Sequence, residues 1–329
     1  MPALYRKPGK YATVYPGCKE ERTTRMGEFD YIAWLRQRTP KSPRVLVGPG
    51  DDCAVLAATS PALLVTTDML LEGSHFVLAE AGPRRVGRKA MAVNLSDIAA
   101  MGGRPSTAFV SVGLPRGHAE TIAEHLYLGM REMADQFDTA IAGGDTNSWT
   151  GGLVISVTLL GEPGPQGPIL RKGAKPGDWL FVTGPLGGSI LGKHLDFTPR
   201  VREALQLQQH AKVHAMIDIS DGLSADVYHL CEESGCGAVL FATNIPISDA
   251  ARQLHDGKTP LEHALGDGED FELAFAVDAD DGRRLLEGQP IAGITLAHVG
   301  VFVAEVGLFV EKDDGRSRCT PEGYVHQFK

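Results

Sequence analysis

Long hydrophobic runs are missing from this chain: no stretch approaches the roughly 18 consecutive apolar residues of a membrane-spanning helix, so no transmembrane segment is expected. The opening MPALYRKPGKYATVYPG has no apolar core of the kind a secretion signal carries. Cysteine is scarce and unpatterned. The five (Cys18, Cys53, Cys231, Cys236 and Cys319) form no C-x-x-C pair, which argues against a disulfide framework or zinc ribbon and suits a reducing cytoplasm. Positive charge is also short, with 32 Lys and Arg against 41 Asp and Glu, so a general nucleic-acid binder is disfavoured. Several familiar site signatures are absent. Gly257-Lys258-Thr259 has Arg252 where a phosphate loop needs its first glycine, no G-x-G-x-x-G follows a strand, and neither G-x-S-x-G nor H-E-x-x-H occurs. What the chain does have is glycine, 39 of 329 residues, in a composition that is 43% hydrophobic. That length suits about two domains of roughly 150 residues.

Strand and helix patterns alternate throughout, which predicts an α/β (α+β) class with two domains of mixed sheets and helices. Residues 1–26 show no periodicity and read as an N-terminal extension. A first helix is expected over Gly27–Leu35, stopping before Pro40, and a strand over Arg44–Val47 running into Gly48-Pro49-Gly50-Asp51-Asp52. Leu63–Asp68 reads as a buried strand ending on an acid, Arg85–Met101 as a helix, Thr107–Leu114 as a strand and His118–Phe137 as a long amphipathic helix. A short strand at Thr139–Ala142 should enter a Gly143-Gly144-Asp145 turn, followed by the β-branched strand Leu153–Leu160. The Gly- and Pro-rich stretch Gly161–Pro168 is the natural linker, dividing residues 27–162 from 163–329. Beyond it, strands are expected at Trp179–Val182, at Ala238–Ala242 and, starting from its acids, at Glu269–Phe275. Helices are expected at Val201–Gln209, Ser224–Glu233 and Ala279–Leu286.

The strongest physical signal is where the aspartates fall. Asp52, Asp68, Asp97, Asp145, Asp218 and Asp221 each sit inside or at the end of an apolar, structured segment. Desolvating a lone carboxylate there is costly, and gathering several raises their pKa values unless a cation joins them. Oxygen-rich sets of this kind suit magnesium, with Thr66, Thr67 and Ser220 as neighbouring hydroxyls. Each acid also has a plain structural reading. Asp221 can cap the helix after Gly222, Asp51-Asp52 can be a solvated loop, and Asp97 can face solvent. Asp218, between Ile217 and Ile219, is the hardest to explain that way.

The motifs Gly48-Pro49-Gly50-Asp51-Asp52, Thr66-Thr67-Asp68 followed by Glu72-Gly73 and His75-Phe76, Ala92–Gly102 with its Asn94-Leu95-Ser96-Asp97, Gly143-Gly144-Asp145-Thr146, Asp218–Leu223 and Gly268–Leu273 occur in that order. As an ordered set they resemble the thiamine-monophosphate kinase family, in the superfamily of aminoimidazole ribonucleotide synthetase and selenophosphate synthetase. The resemblance implies ATP- and magnesium-dependent phosphorylation of thiamine monophosphate to thiamine diphosphate. It implies a magnesium site at Asp52, Thr66, Thr67, Asp68, Asp97, Asp145, Asp218 and Asp221, with Asp68, Asp97 and Asp218 closest to catalysis. It places ATP near Gly144, Asp145, Arg171 and Ser220, and the thiamine phosphate near His75, Glu269 and Tyr324. It also implies a homodimer in which N-terminal domains pair across a shared β-barrel, and small-molecule partners only, in the cytoplasm. Pro49, Asn147 and a short 188–218 segment depart from the family pattern near the expected cleft. A sister enzyme acting on another acceptor, or a catalytically silent homologue, is the alternative.

Overall fold

A computed structural model describes residues 34–48, 54–58, 60–117 and 119–323. Asp52 and Tyr324, together with the 1–26 extension and the Gly50-Asp51-Asp52 loop, lie outside these described residues. Two sheets organise the rest, accompanied by a two-stranded ribbon of β1 (Val45–Val47) and β2 (Val55–Leu56).

The first sheet has the order β3-β6-β4-β5, built from β3 (Leu64–Leu71), β4 (Arg104–Pro115), β5 (Ala140–Trp149) and β6 (Val154–Glu162). Strands β4 and β5 are parallel, joined through the helix Ala119–Gln136; the other two pairings are antiparallel. One face is covered by that helix and by α1 (Pro83–Ala100), which bury Ile155, Val157 and Leu159 of β6. The other face is open, leaving Val65, Met69 and Leu71 of β3 exposed. The two helices approach with almost no space between backbones. A Cβ at Gly87 would lie 2.1 Å from the Leu126 carbonyl oxygen, and one at Gly129 would lie 1.8 Å from that of Arg84. Glycine weakens a helix interior by about 1 kcal/mol relative to alanine, and here it is the only residue the contact admits.

The second sheet runs β13-β12-β9-β11-β7-β10-β8. Its members are β7 (Trp179–Val182), β8 (Val213–Asp218), β9 (Gly237–Phe241), β10 (Leu273–Val277), β11 (Ala297–Val303), β12 (Gly307–Lys312) and β13 (Gly315–Arg318). Only β9 and β12 pair in parallel. Strand β10, between β7 and the edge strand β8, is buried on both faces, as its unbroken apolar sequence requires. Leu273, Phe275 and Val277 join a core shared with α1, while Ala274 and Ala276 face the core under α2 (Leu223–Ser234). The first core is thus continuous between the two sheets: Leu95 and Ile98 of α1 belong to the same cluster as Leu207, Met216 and Phe275.

Three expectations are corrected. Gly143-Gly144-Asp145 is not a turn: β5 continues through it to Trp149 after a bulge at Ala142, and Gly144 serves strand packing, since a Cβ there would meet the Val110 carbonyl oxygen at 1.8 Å. Gly161-Glu162 belongs to β6 rather than to a linker. The acids of Glu269-Asp270-Phe271-Glu272 precede β10 instead of opening it, because Glu269 (φ 62) and Phe271 (φ 51) take left-handed conformations that no strand accommodates. The small helices Asp249–Gln253 and Pro260–Gly266 were not evident in the sequence; the second starts at a Thr259–Glu262 capping box, so the Gly-Lys-Thr triplet ends as a helix cap.

Candidate active site

Alternation along β3 sorts its polar side chains by face. Thr66, Asp68 and the buried Leu70 point toward α1, whereas Thr67 points to the open face, its hydroxyl 3.1 Å from that of Thr158. Asp97 comes from the last turns of α1 and accepts a hydrogen bond from Thr66 Oγ1. Asp218 ends β8, fully enclosed, and accepts from Ser96 Oγ at 2.7 Å. A strand, a helix and a strand end from the two halves of the molecule therefore deliver three carboxyls to one place.

The electrostatics show how poorly that place tolerates three negative charges. Burial, then the charges of Asp97 and Asp218, push Asp68 up to about 7. Burial and the Asp97 charge push Asp218 up to about 7 as well. Asp97 is raised mainly by burial, against the hydrogen bond from Thr66 and the charge of Arg171. Arg171 is the cation that offsets both Asp97 and Asp218. Asp68 and Asp97 raise each other's cost of ionising, and a proton or a cation on the pair relieves it. By donor chemistry the set fits a hard divalent cation, being all carboxylate and hydroxyl oxygen. Among the described residues, no three His, Cys, Asp or Glu side chains are drawn together closely enough to form a finished metal cage.

The other predicted residues divide. Gly144 lies in register with Val110, Val157 and Asp68 across the first sheet, and Asp145 with Ser111, Ser156 and Met69. Asp145 is therefore exposed on the open face with Thr67, three strands and roughly 14 Å from the acid trio's edge of the sheet. Its carboxylate accepts from Asn147 Nδ2 at 2.8 Å. Ser220 and Asp221 follow Asp218 in the loop before α2. The Ser220 carbonyl accepts from the Glu269 amide at 2.7 Å, and the Asp221 amide donates to Asp226 at 3.0 Å. His75 sits in the turn after β3, where Nδ1 accepts from the Leu71 amide at 3.0 Å; its ring proton is accordingly on Nε2. Glu269 stands on the left-handed segment described above, a conformation that costs about 1–3 kcal/mol per residue and collects at functional sites. The strain is held by the Glu269 and Phe271 amides on Ser220 and Ile219, and by Phe271 stacking on Phe197 at 4.0 Å.

Four working residues escaped the sequence reading. Ser96 and Lys89 reach out of α1, and Asp226 and Arg200 stand behind the loops. Asp226 is raised to about 8 by burial and by Asp218, and takes the amides of both Asp221 and Gly222. Arg200 grips Glu272 through Nε at 2.7 Å and Nη2 at 2.8 Å, keeping that buried carboxyl below its ordinary range against the cost of burial. The i to i+4 spacing of Gly222 and Asp226 was the one legible hint; the rest depends on contacts across the fold.

A two-sheet α/β fold with a buried carboxylate trio, its charge offset by an exposed arginine, defines a class of protein, and comparison places it. Residues 50–162 match the family AIR synthase related protein, N-terminal domain, and residues 175–313 match AIR synthase related protein, C-terminal domain. Thiamine-monophosphate kinase of Rhodopirellula baltica is 44% identical over 310 residues, covering 91% of this chain and 97% of that one. The crystal structure of thiamine-monophosphate kinase from Stenotrophomonas maltophilia K279a superposes with a TM-score of 0.73 at 33% identity, over 86% of this chain and 95% of that one. AaThiL complexed with AMPPCP and TMP superposes with a TM-score of 0.71 at 30% identity, over 94% and 99%. The chain belongs to the thiamine-monophosphate kinase family.

Proposed function

We propose that this protein transfers the terminal phosphoryl group of ATP to the phosphate of thiamine monophosphate, giving thiamine diphosphate and ADP, with magnesium as the required ion. The observation that carries the reading is the convergence of Asp68, Asp97 and Asp218 beside Arg171, in a chain so similar to thiamine-monophosphate kinases along nearly its whole length. The relative complexed with AMPPCP and TMP supports the substrate pair. The acceptor oxygen of a phosphate ester is already ionised at neutral pH, so the protein needs no strong general base. Its task is to hold two anions in line and offset their charge.

Asp68, Asp97 and Asp218 would hold magnesium, whose chemistry is to neutralise charge on the transferring phosphoryl oxygens. Thr66 and Ser96 fix the rotamers of Asp97 and Asp218. Arg171 adds a permanent positive charge that acts on Asp97 and Asp218, and with Ser220 it is assigned to ATP. Asp226 holds the Asp221-Gly222 backbone in place. His75, Glu269 and Tyr324 are assigned to the acceptor, and Asp52 and Asp221 to the metal site. Gly144, at a strand position that faces α1, is assigned to the ATP contact next to Asp145, and Thr67 and Asp145 to a second region on the open face of the first sheet. Exposed Val65, Met69 and Leu71 beside them support pairing of that face with a second copy in a homodimer. The domain division at 162/163 and a cytoplasmic location complete the reading, the latter supported by the free thiols of Cys231, Cys236 and Cys319.

The test is a panel of phosphate-bearing acceptors incubated with purified protein, ATP and magnesium, with products separated chromatographically. Thiamine diphosphate and ADP should appear in equal amounts. Bound ATP without any thiamine diphosphate would overturn the assignment of the acceptor.

A further inference from the structure

Lys89 heads the largest fully buried side chains, with 0% exposure, and the phosphoryl-transfer chemistry above gives it no task. Its ammonium ion donates to the His75 carbonyl oxygen at 2.7 Å and to Glu269 Oε1 at 2.6 Å. Those acceptors come from opposite halves of the molecule: the turn after β3 and the strained segment before β10. Seven residues along α1, on the same face and about 10 Å away, Ser96 donates to Asp218. One helix face therefore grips the second half of the protein at two points, one beside the acid trio and one beside the residues assigned to the acceptor.

Stability alone does not account for a lysine here. Burial opposes its charge and lowers its pKa, with Glu269 acting against that. Apolar side chains of similar volume commonly replace such pairs without loss. Glu269 also keeps 31% of its side chain exposed, so the pair reaches the surface on its acidic side rather than being sealed in the core. The Glu269 backbone is left-handed, a conformation that persists only where its surroundings hold it. A cation placed between that segment and the His75 turn sets the distance between them.

We propose that Lys89 is a positioning residue for the acceptor: its ammonium ion spaces the His75 turn and the Glu269 segment, and thereby sets the affinity for thiamine monophosphate but not for ATP. This rests on the acceptor assignment made above.

The experiment compares Lys89→Met, Lys89→Arg and Glu269→Gln with the unaltered protein in steady-state kinetics and in amide hydrogen exchange over residues 72–76 and 269–272. In Lys89→Met, exchange should quicken in both segments, and KM for thiamine monophosphate should rise about tenfold or more while KM for ATP stays within about twofold. Lys89→Arg should recover part of the affinity. Should Lys89→Met fail to fold, Glu269→Gln, which takes the charge from the pair, is read by exchange over residues 72–76, a segment that the substitution does not itself alter and that should quicken. Unchanged exchange in either segment overturns the proposal, as does an equal rise in both KM values or a fall in kcat alone. Faster exchange in both segments of a protein that turns over no thiamine monophosphate supports the clamp and sinks only the acceptor assignment.

Discussion

Replacing Asp218 by asparagine should abolish turnover and yet stabilise the metal-free protein at alkaline pH. Asp218 is 4% exposed, and its pKa is pushed from 3.8 to about 7 by burial and by Asp97. A carboxyl that is harder to ionise when folded binds its proton more tightly in the folded state, so folding loses stability as pH rises. The penalty is absent below about pH 3.8, grows between 3.8 and about 7, and is complete above that. At 1.36 kcal/mol per pKa unit, a shift of this size has a ceiling of about 4 kcal/mol. The trio shares its protons, so part of the penalty belongs to Asp68 and Asp97, and a gain of about 1–3 kcal/mol is expected from the single substitution. Asparagine keeps an oxygen for Ser96 to donate to, and its amide N–H groups place donors beside the Asp97 carboxylate in place of a like charge. The assay is urea unfolding in chelator at pH 5 and pH 8. The variant should be more stable at pH 8, with the advantage shrinking toward pH 5. Added magnesium should stabilise the unaltered protein by mass action and the variant far less. A variant less stable than the parent at pH 8 in chelator would refute the picture of mutually repelling carboxyls.

Two further outcomes test the frame around the site. Arg200→Met leaves the buried Glu272 carboxylate with only Lys193 and Thr183, and should cost about 3 kcal/mol in chemical denaturation. Because Glu272 is held below its ordinary 4.5, its contribution is present above that pH and is lost as pH falls through the lowered value. The cost of the substitution should therefore be full above about pH 4.5 and shrink as pH falls below it, and a cost that is equal at neutral and acid pH would count against the pairing. Gly129→Ala adds a methyl 1.8 Å from the Arg84 carbonyl oxygen. Alanine's helix preference of about 1 kcal/mol should be outweighed, with a net loss of about 2 kcal/mol and a lower melting temperature; a raised one would mean that the helices can part at little cost.

Much of the fold can be read from local pattern. The alternation in Leu64–Leu71, the β-branched run of β6 and the apolar β10 each announce a strand, although the last was expected to begin four residues early. That error and the misread β5 have the same origin. Glycines and acids are the usual punctuation of turns, but Gly144 is required by the Val110 backbone across the sheet, and Glu269 is bent by partners on distant elements. No local pattern contains either fact.

The site divides along the same line. The acids of β3, α1 and β8 stand out in the chain because each interrupts an apolar segment, and desolvation makes such residues conspicuous wherever they occur. Their ordered motifs were enough to indicate the family. Which acids meet is a different matter. A strand sends successive side chains to opposite faces, so Thr66 and Thr67, adjacent in sequence, part company, and Asp145 lies on the open face while Asp68 turns inward. Lys89 appears in the sequence as one basic residue in an Arg- and Lys-rich stretch. Only packing shows it to be fully enclosed and bridging two halves of the molecule, because burial and partnership are properties of three-dimensional neighbours, set by contacts as much as 180 residues apart.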